Sequence, residues 1–534
     1  MTAFLSLTLL LAPDFTNIAE EAGIPDLPSG RAVFVDLNGD GQLDIVLNRK
    51  HVLLQKDGRF VAGPALPYQP TTILFADFDN DGDQDAFAGM VCEPENKKWK
   101  DHGRSNALFI QDAGKWKVID LKMPRTAVHA VCAVDYDGDG HLDLYVGSGY
   151  RVYGASLECQ PNRMYLGPKF IDATERLGLL TVKTPGTRLS SKPTYGVTHG
   201  DFNGDGKQDL WVCTYGRQWN FLWVNGDDTT KDIAKDLAEQ TGFDGDTDRS
   251  GKYSAAVKAF FKEKYGAERE DEKPFRSNGN TFDCAIADYD NDGDTDCILA
   301  EITHSWGGPS SDRTALLVQE DGRFSRILFE RKHTDEKRWN QGDIHCGWID
   351  FDNDGLLDAL IASSDYPDRQ ELKLYRQKKD HTFEAPRTFG WEGAAQISVG
   401  DFDNDGDLDI LCGRSVNRLP KERRAALGKR AALFRNDVGN KNSWLQVVCV
   451  GKTANRDGIG ARIRVTTADG VTQTREIRGG HGHAGHNNPY IAHFGLGKHT
   501  EVKKLEIRWP DKANTVQVIQ GVKARQRLVV RQKQ

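Results

Sequence analysis

The sequence predicts an all-β protein, a seven-bladed β-propeller with a second, smaller C-terminal β-sandwich-like domain. Three observations predict it. An acidic nine-residue turn recurs seven times at spacings of 41 to 87 residues, the interval of a propeller blade with insertions. Short apolar runs with strand character flank the turns, such as Ile73-Leu74-Phe75-Ala76 and Ala86-Phe87-Ala88 around the second. Beyond Asn436 the turns stop and apolar and polar residues alternate, as in Ala461-Arg462-Ile463-Arg464-Val465, which predicts strands with one solvated face.

The turn is clearest at Asp77-Phe78-Asp79-Asn80-Asp81-Gly82-Asp83-Gln84-Asp85. Carboxylates stand at positions 1, 3, 5 and 9, and so many in one turn repel one another unless a cation sits among them. Hard oxygen donors suit Ca²⁺, which takes about 6–8 of them in flexible geometry. Glycine at position 6 permits the sharp bend. The spacing resembles the start of an EF-hand loop, but no Glu follows at position 12 and the flanks read as strands. The predicted calcium ligands, copy by copy, begin with Asp36, Asn38, Asp40 and Asp44, then Asp77, Asp79, Asp81 and Asp85. Next come Asp135, Asp137, Asp139 and Asp143, and then Asp201, Asn203, Asp205 and Asp209. Asp288, Asp290, Asp292 and Asp296 form the fifth set, Asp350, Asp352, Asp354 and Asp358 the sixth, and Asp401, Asp403, Asp405 and Asp409 the last. Position 2 is apolar or aromatic in every copy, from Leu37 to Phe402. One such match is weak evidence, because Asp-Gly turns are common; seven in register are strong.

Over 534 residues the formal net charge is −8. The turn carboxylates account for that balance, so it does not point to a cationic partner. Lys and Arg are scattered without a basic stripe, which argues against nucleic acid. The apolar run within Met1 to Ala12 resembles a signal-peptide core, with a buried strand or a start-site artefact as the alternatives. No later stretch is long enough to span a membrane. Export into millimolar calcium would favour weak sites of this kind, so a secreted, periplasmic or cell-surface location is expected. Nine cysteines are present, and Cys132, Cys213, Cys284, Cys297, Cys346 and Cys412 lie in or beside the strand runs. They read as small buried apolar residues, not a disulfide framework.

Taken in order, each repeat reads strand, acidic turn, strand, long loop, third strand, hairpin, fourth strand. The fourth strands are placed near Phe60, Trp116, Phe170, Ile233, Phe324 and Phe383. The seventh repeat has a third strand, Ala432-Leu433-Phe434-Arg435, and no fourth, while Asp14-Phe15-Thr16-Asn17 resembles an unattached fourth strand. Pairing the two would close the ring and leave no free sheet edge. The fourth repeat carries an insertion over 243–278, with a short helix expected at Ser254 to Phe261 and an imitation turn at Asp244 to Asp248 that lacks flanking strands. In a four-stranded meander the acidic turns share one face and the variable loops the other. Those loops carry Trp99, Tyr150, Tyr153, Tyr215, Trp219, Trp306 and Tyr366 among Arg151, Arg217, Arg369, His304 and Asp368, a mixture suited to protein or glycan recognition.

The seven turns closely resemble the FG-GAP/VCBS repeats of integrin α-type propellers, over about residues 13–437. Asn455-Arg456-Asp457-Gly458-Ile459-Gly460-Ala461-Arg462, His493-Phe494-Gly495-Leu496-Gly497 and Ile507-Arg508-Trp509-Pro510 resemble an ASPIC/UnbV domain, over 438–534. The pairing is similar to the cartilage acidic protein family and its bacterial relatives. That resemblance implies an extracytoplasmic calcium-binding protein for adhesion or recognition and implies no enzymatic activity. Against it stands a polysaccharide lyase or hydrolase on the same scaffold, which would need groups such as His304 with Asp368 or Arg217 to converge. The Gly-rich stretch bearing His481, His483 and His486 departs from the family pattern. It is expected to be a surface loop with neutral histidines, a Zn or Cu site being the lesser alternative.

Overall fold

The runs flanking each acidic turn are too short for stable helices and rich in β-branched and aromatic residues, so they pair across the turn as antiparallel strands. The computed structural model describes residues 14–91, 103–150, 159–180, 193–216, 220–226, 234–236, 280–303, 313–320, 322–329, 341–366 and 370–533, with isolated positions between 255 and 263. The leader-like run, the expected helix and the imitation turn lie outside the described residues or almost wholly so.

Antiparallel units of four strands follow one another along the chain. The first is Ala32–Val35, Asp44–Leu47, His51–Lys56 and Arg59–Ala62, and the second Thr72–Ala76, Asp85–Gly89, Ala107–Asp112 and Lys115–Asp120. Units opening at Val128–Val134, Thr194–Gly200, Thr281–Ala287 and Gln341–Ile349 repeat the pattern, the last two joined edge to edge through Ile302 with Gly342 and Thr303 with Gln341. In the unit that opens at Gln341 the fourth strand is Arg387–Thr388, and Phe383 sits in an isolated bridge to Gln377 instead. The final unit contains Ala394–Gly400, Asp409–Arg414 and Ala432–Asn436, and its fourth strand is the N-terminal Phe15–Asn17, with Phe15 opposite Asn436 and Asn17 opposite Phe434. First strands of neighbouring units pack side by side. The last meets the first where the Ala32 amide donates to Gln396 Oε1 at 3.0 Å and the Phe34 amide to Ser398 Oγ at 3.1 Å.

Two recurrent polar contacts hold this arrangement. The position-9 carboxylate accepts the position-2 amide through one oxygen at 2.8–3.3 Å. Its other oxygen accepts an amide of the third strand at 2.8–2.9 Å. That third-strand residue is Gln55, Gln111, Asn225, Gln319, Gln377 or Asn436, and its side-chain amide donates to the position-2 carbonyl of the preceding unit at 2.6–2.9 Å. Gln55 reaches Phe402 of the last unit, so the stitch runs around the ring. In the third unit Gly167 holds the equivalent place and has no side chain to offer. The apolar core lies between units, where fully buried Phe34, Phe75, Phe87 and Phe109 pack.

C-terminal to the ring, Ala492–Gly497, Ser443–Val450 and Gln526–Arg531 form one sheet, and Thr472–Glu476, Arg462–Thr466, Glu501–Arg508 and Val516–Lys523 another. Leu445, Val447, Ile463, Val465, Phe494, Leu505, Ile507 and Trp509 are buried in one cluster with residues of both sheets. This β-rich part sits on the acidic-turn face. The Asp77 amide donates to Asp457 Oδ2 and the Arg456 amide to Asn80 Oδ1, each at 2.8 Å, Gln446 donates to Asp401 Oδ2 at 2.7 Å, and Arg508 pairs with Asp201. Of the polar positions read as a solvated face, Arg462 and Arg508 thus meet Asp201 of a turn, while Arg464 stays exposed. Gly406 combines a φ of +97° with a Cβ direction aimed into the Trp444 indole. Gly406→Ala is expected to destabilise the full chain by about 2–3 kcal/mol through overpacking and left-handed strain, read as a lowered denaturant midpoint.

Candidate functional sites: the acidic turns and the channel

Each turn is pre-shaped by its own sequence. The position-6 glycine amide donates to the position-1 carboxylate in all seven copies at 2.8–3.2 Å. This folds the turn back so that side-chain oxygens point inward. Carboxylate oxygens lie within 4.8 Å of one another in Asp77, Asp79 and Asp85, in Asp135, Asp137 and Asp143, and in Asp288, Asp290 and Asp292. The same holds for Asp350, Asp352 and Asp358 and for Asp401, Asp403 and Asp409. In the two copies with asparagine, Asn38 donates to Asp40 at 3.0 Å and Asn203 to Asp205 at 3.1 Å, and Asp201 also faces Arg462 and Arg508.

Burial and neighbouring charge raise these carboxyls. Asp77 is pushed up to about 8 by burial, then by Asp457, and Asp350 to about 8 by burial, then by Asp354 and Asp352. Burial takes Asp44, Asp85 and Asp135 to about 7 and Asp296 to about 9. An all-oxygen donor set that disfavours its own charge fits a hard divalent cation, which would remove that penalty. The sign for chelated protein follows. Carboxyls with raised folded values stabilise the fold while protonated, fully so below the unfolded value of about 4. The contribution is lost as pH rises through about 7 to 9. Thermal melts in chelator are expected to fall from pH 5 to pH 9, and calcium is expected to flatten that trend.

Comparison with known families bears on the same stretches. Residues 36–88 and 350–412 match the FG-GAP-like repeat model, 127–156 the FG-GAP repeat model, and 451–534 the ASPIC and UnbV model. The chain carries FG-GAP repeats and an ASPIC/UnbV domain. Cartilage acidic protein 1 of Xenopus tropicalis is 28% identical over 239 residues, spanning 42% of this chain and 33% of that protein. The Mus musculus and Homo sapiens proteins are each 27% identical over 242 residues, 42% of this chain and 33% and 32% of theirs. The match therefore spans about a third of the length of these curated relatives.

The ASPIC/UnbV domain does more than cover the FG-GAP turns. Its loop from Gly479 to Tyr490 enters the channel between the first strands. The Ala133 amide donates to the Gly479 carbonyl at 2.7 Å, the Gly482 amide to Val197 at 3.1 Å and the Ala484 amide to His129 at 2.6 Å. The expectation of surface histidines is thus corrected: His481 and His486 are buried and His483 half-buried inside the propeller. Glycine explains how a loop fits there. Gly485 has a φ of +66° and any Cβ would strike the Ile73 carbonyl. His481 Nδ1 lies 2.9 Å from Asp283 Oδ1, whereas the His483 ring turns away and its Nδ1 donates to the Tyr195 carbonyl at 3.1 Å. His493, in the segment that resembles the ASPIC/UnbV pattern, has its Nε2 2.6 Å from Asn353 Oδ1. The eight described cysteines are buried and unbridged, as the sequence suggests.

Tyr150, Tyr195, Cys159, Tyr215 and Phe282 cluster at the loop end of the channel. Trp99, Arg151, Tyr153, Arg217, Trp219, His304, Trp306, Asp368 and Arg369 lie outside the described residues, and with them the groups an enzymatic reading would need. Sequence reasoning missed Arg31, Asp283 and His345 at this end. No motif marks them, since each sits singly on a first strand of a different unit or just before it.

Proposed function

We propose that this is an extracytoplasmic calcium-binding recognition protein that takes a protein or glycan ligand on its loop-rich face. One observation carries the reading: the ASPIC/UnbV domain occupies the turn face, which leaves the loop face for a partner. The FG-GAP turns, with Asp36, Asn38, Asp40 and Asp44 as the first set and Asp401, Asp403, Asp405 and Asp409 as the last, would hold Ca²⁺ and fix the scaffold on which the loops stand. Likeness to cartilage acidic protein 1 supports an extracellular setting. Among the described residues no helix is long and apolar enough to cross a membrane. Glycan-array and protein pull-down binding of the full chain, with and without calcium, tests the reading. Saturable, calcium-dependent binding that loop-face substitutions at Tyr150 and Tyr215 abolish is expected. Binding that survives those substitutions but is lost on altering the ASPIC/UnbV surface would overturn it.

A further inference from the structure

The loop-face end of the channel gathers cations that the turns do not use. Arg31 directly precedes the first strand of the first unit, and Arg49 lies two residues past the end of its neighbour Asp44–Leu47, so both side chains start from the end away from the acidic turns. Arg31 Nη1 donates to His345 Nε2 at 2.7 Å, which leaves His345 Nδ1 to donate to Asp283 Oδ2 at 3.1 Å. His129 stacks on Tyr195 at 4.8 Å between ring centroids, and His483 from the inserted loop stacks on both, 5.3 Å from Tyr195 and 5.6 Å from His129.

Among the described residues the charges do not balance. Arg31 is pushed down to about 9 by burial and then by Arg49, with Asp283 acting in its favour. Burial takes Arg49 down to about 10. Burial and then Arg31 hold His129 at about 4. Asp283 is already engaged: it accepts from His345 and His481 and from the Cys284 and Cys346 amides at 2.8 and 3.1 Å. Arg49 donates to the Thr71 carbonyl, and its buried Nε has no partner. Enclosing guanidinium charge without a counter-charge is costly. Yet Arg31, Arg49, His129 and His483 each keep partial exposure, so they reach solvent and are not sealed in the core.

We propose that Arg31, Arg49, His129 and His483 form a binding site for the oxyanion group of an acidic ligand, a carboxylate, sulfate or phosphate, at the loop-face mouth of the channel. Guanidinium forks match such groups bidentately, and an entering anion supplies the missing counter-charge. The ASPIC/UnbV loop contributes His483, so the site belongs jointly to the two parts of the chain. The proposal rests on the loop-face reading above and names its ligand class.

Titration calorimetry of the calcium-loaded full chain with inorganic sulfate, inorganic phosphate and glucuronate tests it, with glucose as the neutral control. At least one oxyanion is expected to bind and glucose not. Arg31→Gln and Arg49→Gln are expected to weaken that binding about thirtyfold or more, His483→Ala less, and Arg49→Lys to restore part of it. Should Arg31→Gln fail to fold, Arg49→Gln and His483→Ala, at the partly exposed rim, decide the matter. Absence of binding by all three oxyanions, or unchanged affinity in folded Arg49→Gln and His483→Ala, overturns the site. A larger ligand held on the loop face with unchanged affinity in Arg49→Gln would sink the oxyanion site and leave the recognition reading standing. Arg49-dependent sulfate binding without any loop-face partner would do the reverse.

Discussion

Chelation of calcium is expected to lower the melting temperature of the full chain by more than about 10 °C, an effect comparable with the whole stability of an ordinary domain. A ligand that binds only the folded state at about 100 times its Kd stabilises by about 2.7 kcal/mol per site. Five turns bring their carboxylates within 4.8 Å of one another, and even that subset sums to the order of the 5–15 kcal/mol typical of a folded domain, about 2–4 °C for each kcal/mol. The direction is reinforced by what calcium would remove. Asp77, Asp135, Asp350 and Asp296 are all raised by burial, so without a cation a turn at neutral pH either holds a proton or strains against its own charge. Scanning calorimetry with and without chelator measures the shift. Magnesium is expected to rescue poorly, because it demands a tighter octahedral shell.

Phe15→Ala is expected to destabilise by about 3–5 kcal/mol, the usual range for truncating a buried phenylalanine. Phe15 is 8% exposed, and its ring lies 6.0 Å from Phe351 and 5.3 Å from Phe389. It belongs to a strand of three residues whose whole pairing is with Ala432–Asn436. Losing its anchor therefore frees the strand and bares the edge of the final unit, the kind of edge that recruits other chains. A lowered denaturant midpoint with concentration-dependent association measures both consequences. Thr16→Ala, on the exposed side of the same strand, is expected to stay within about 0.5 kcal/mol of the parent.

Much of the fold was legible because its signals are local. The acidic turn specifies its own geometry through a glycine amide and a position-1 carboxylate five residues apart, and the N-terminal strand betrayed itself by likeness to the fourth strands of other repeats. What escaped were contacts between distant segments. Gln55, Gln111 and Gln319 each stitch two units together, yet glutamine closing a strand has no meaning until the neighbouring carbonyl is in place; its recurrence, with Gln377, at or just past the end of the third strand in four of the seven repeats was the available signal. The face on which the ASPIC/UnbV strands rest was not legible, because alternating arginines look alike whether they meet water or carboxylates. The glycine–histidine loop was read as exposed for a related reason. Glycine signals either flexibility or a narrow passage, and only the walls contributed by Ile73, Ala133 and Val197 distinguish the two.

Counting bound calcium is the most direct test of the claim that the acidic turns are cation-held corners. Equilibrium dialysis of the folded full chain is expected to give between five ions, for the turns whose carboxylates converge, and seven, the number of copies in the sequence. Asp79→Ala is expected to remove one of them. A folded chain that retains no calcium, or an Asp79→Ala count equal to the parent, would contradict the account.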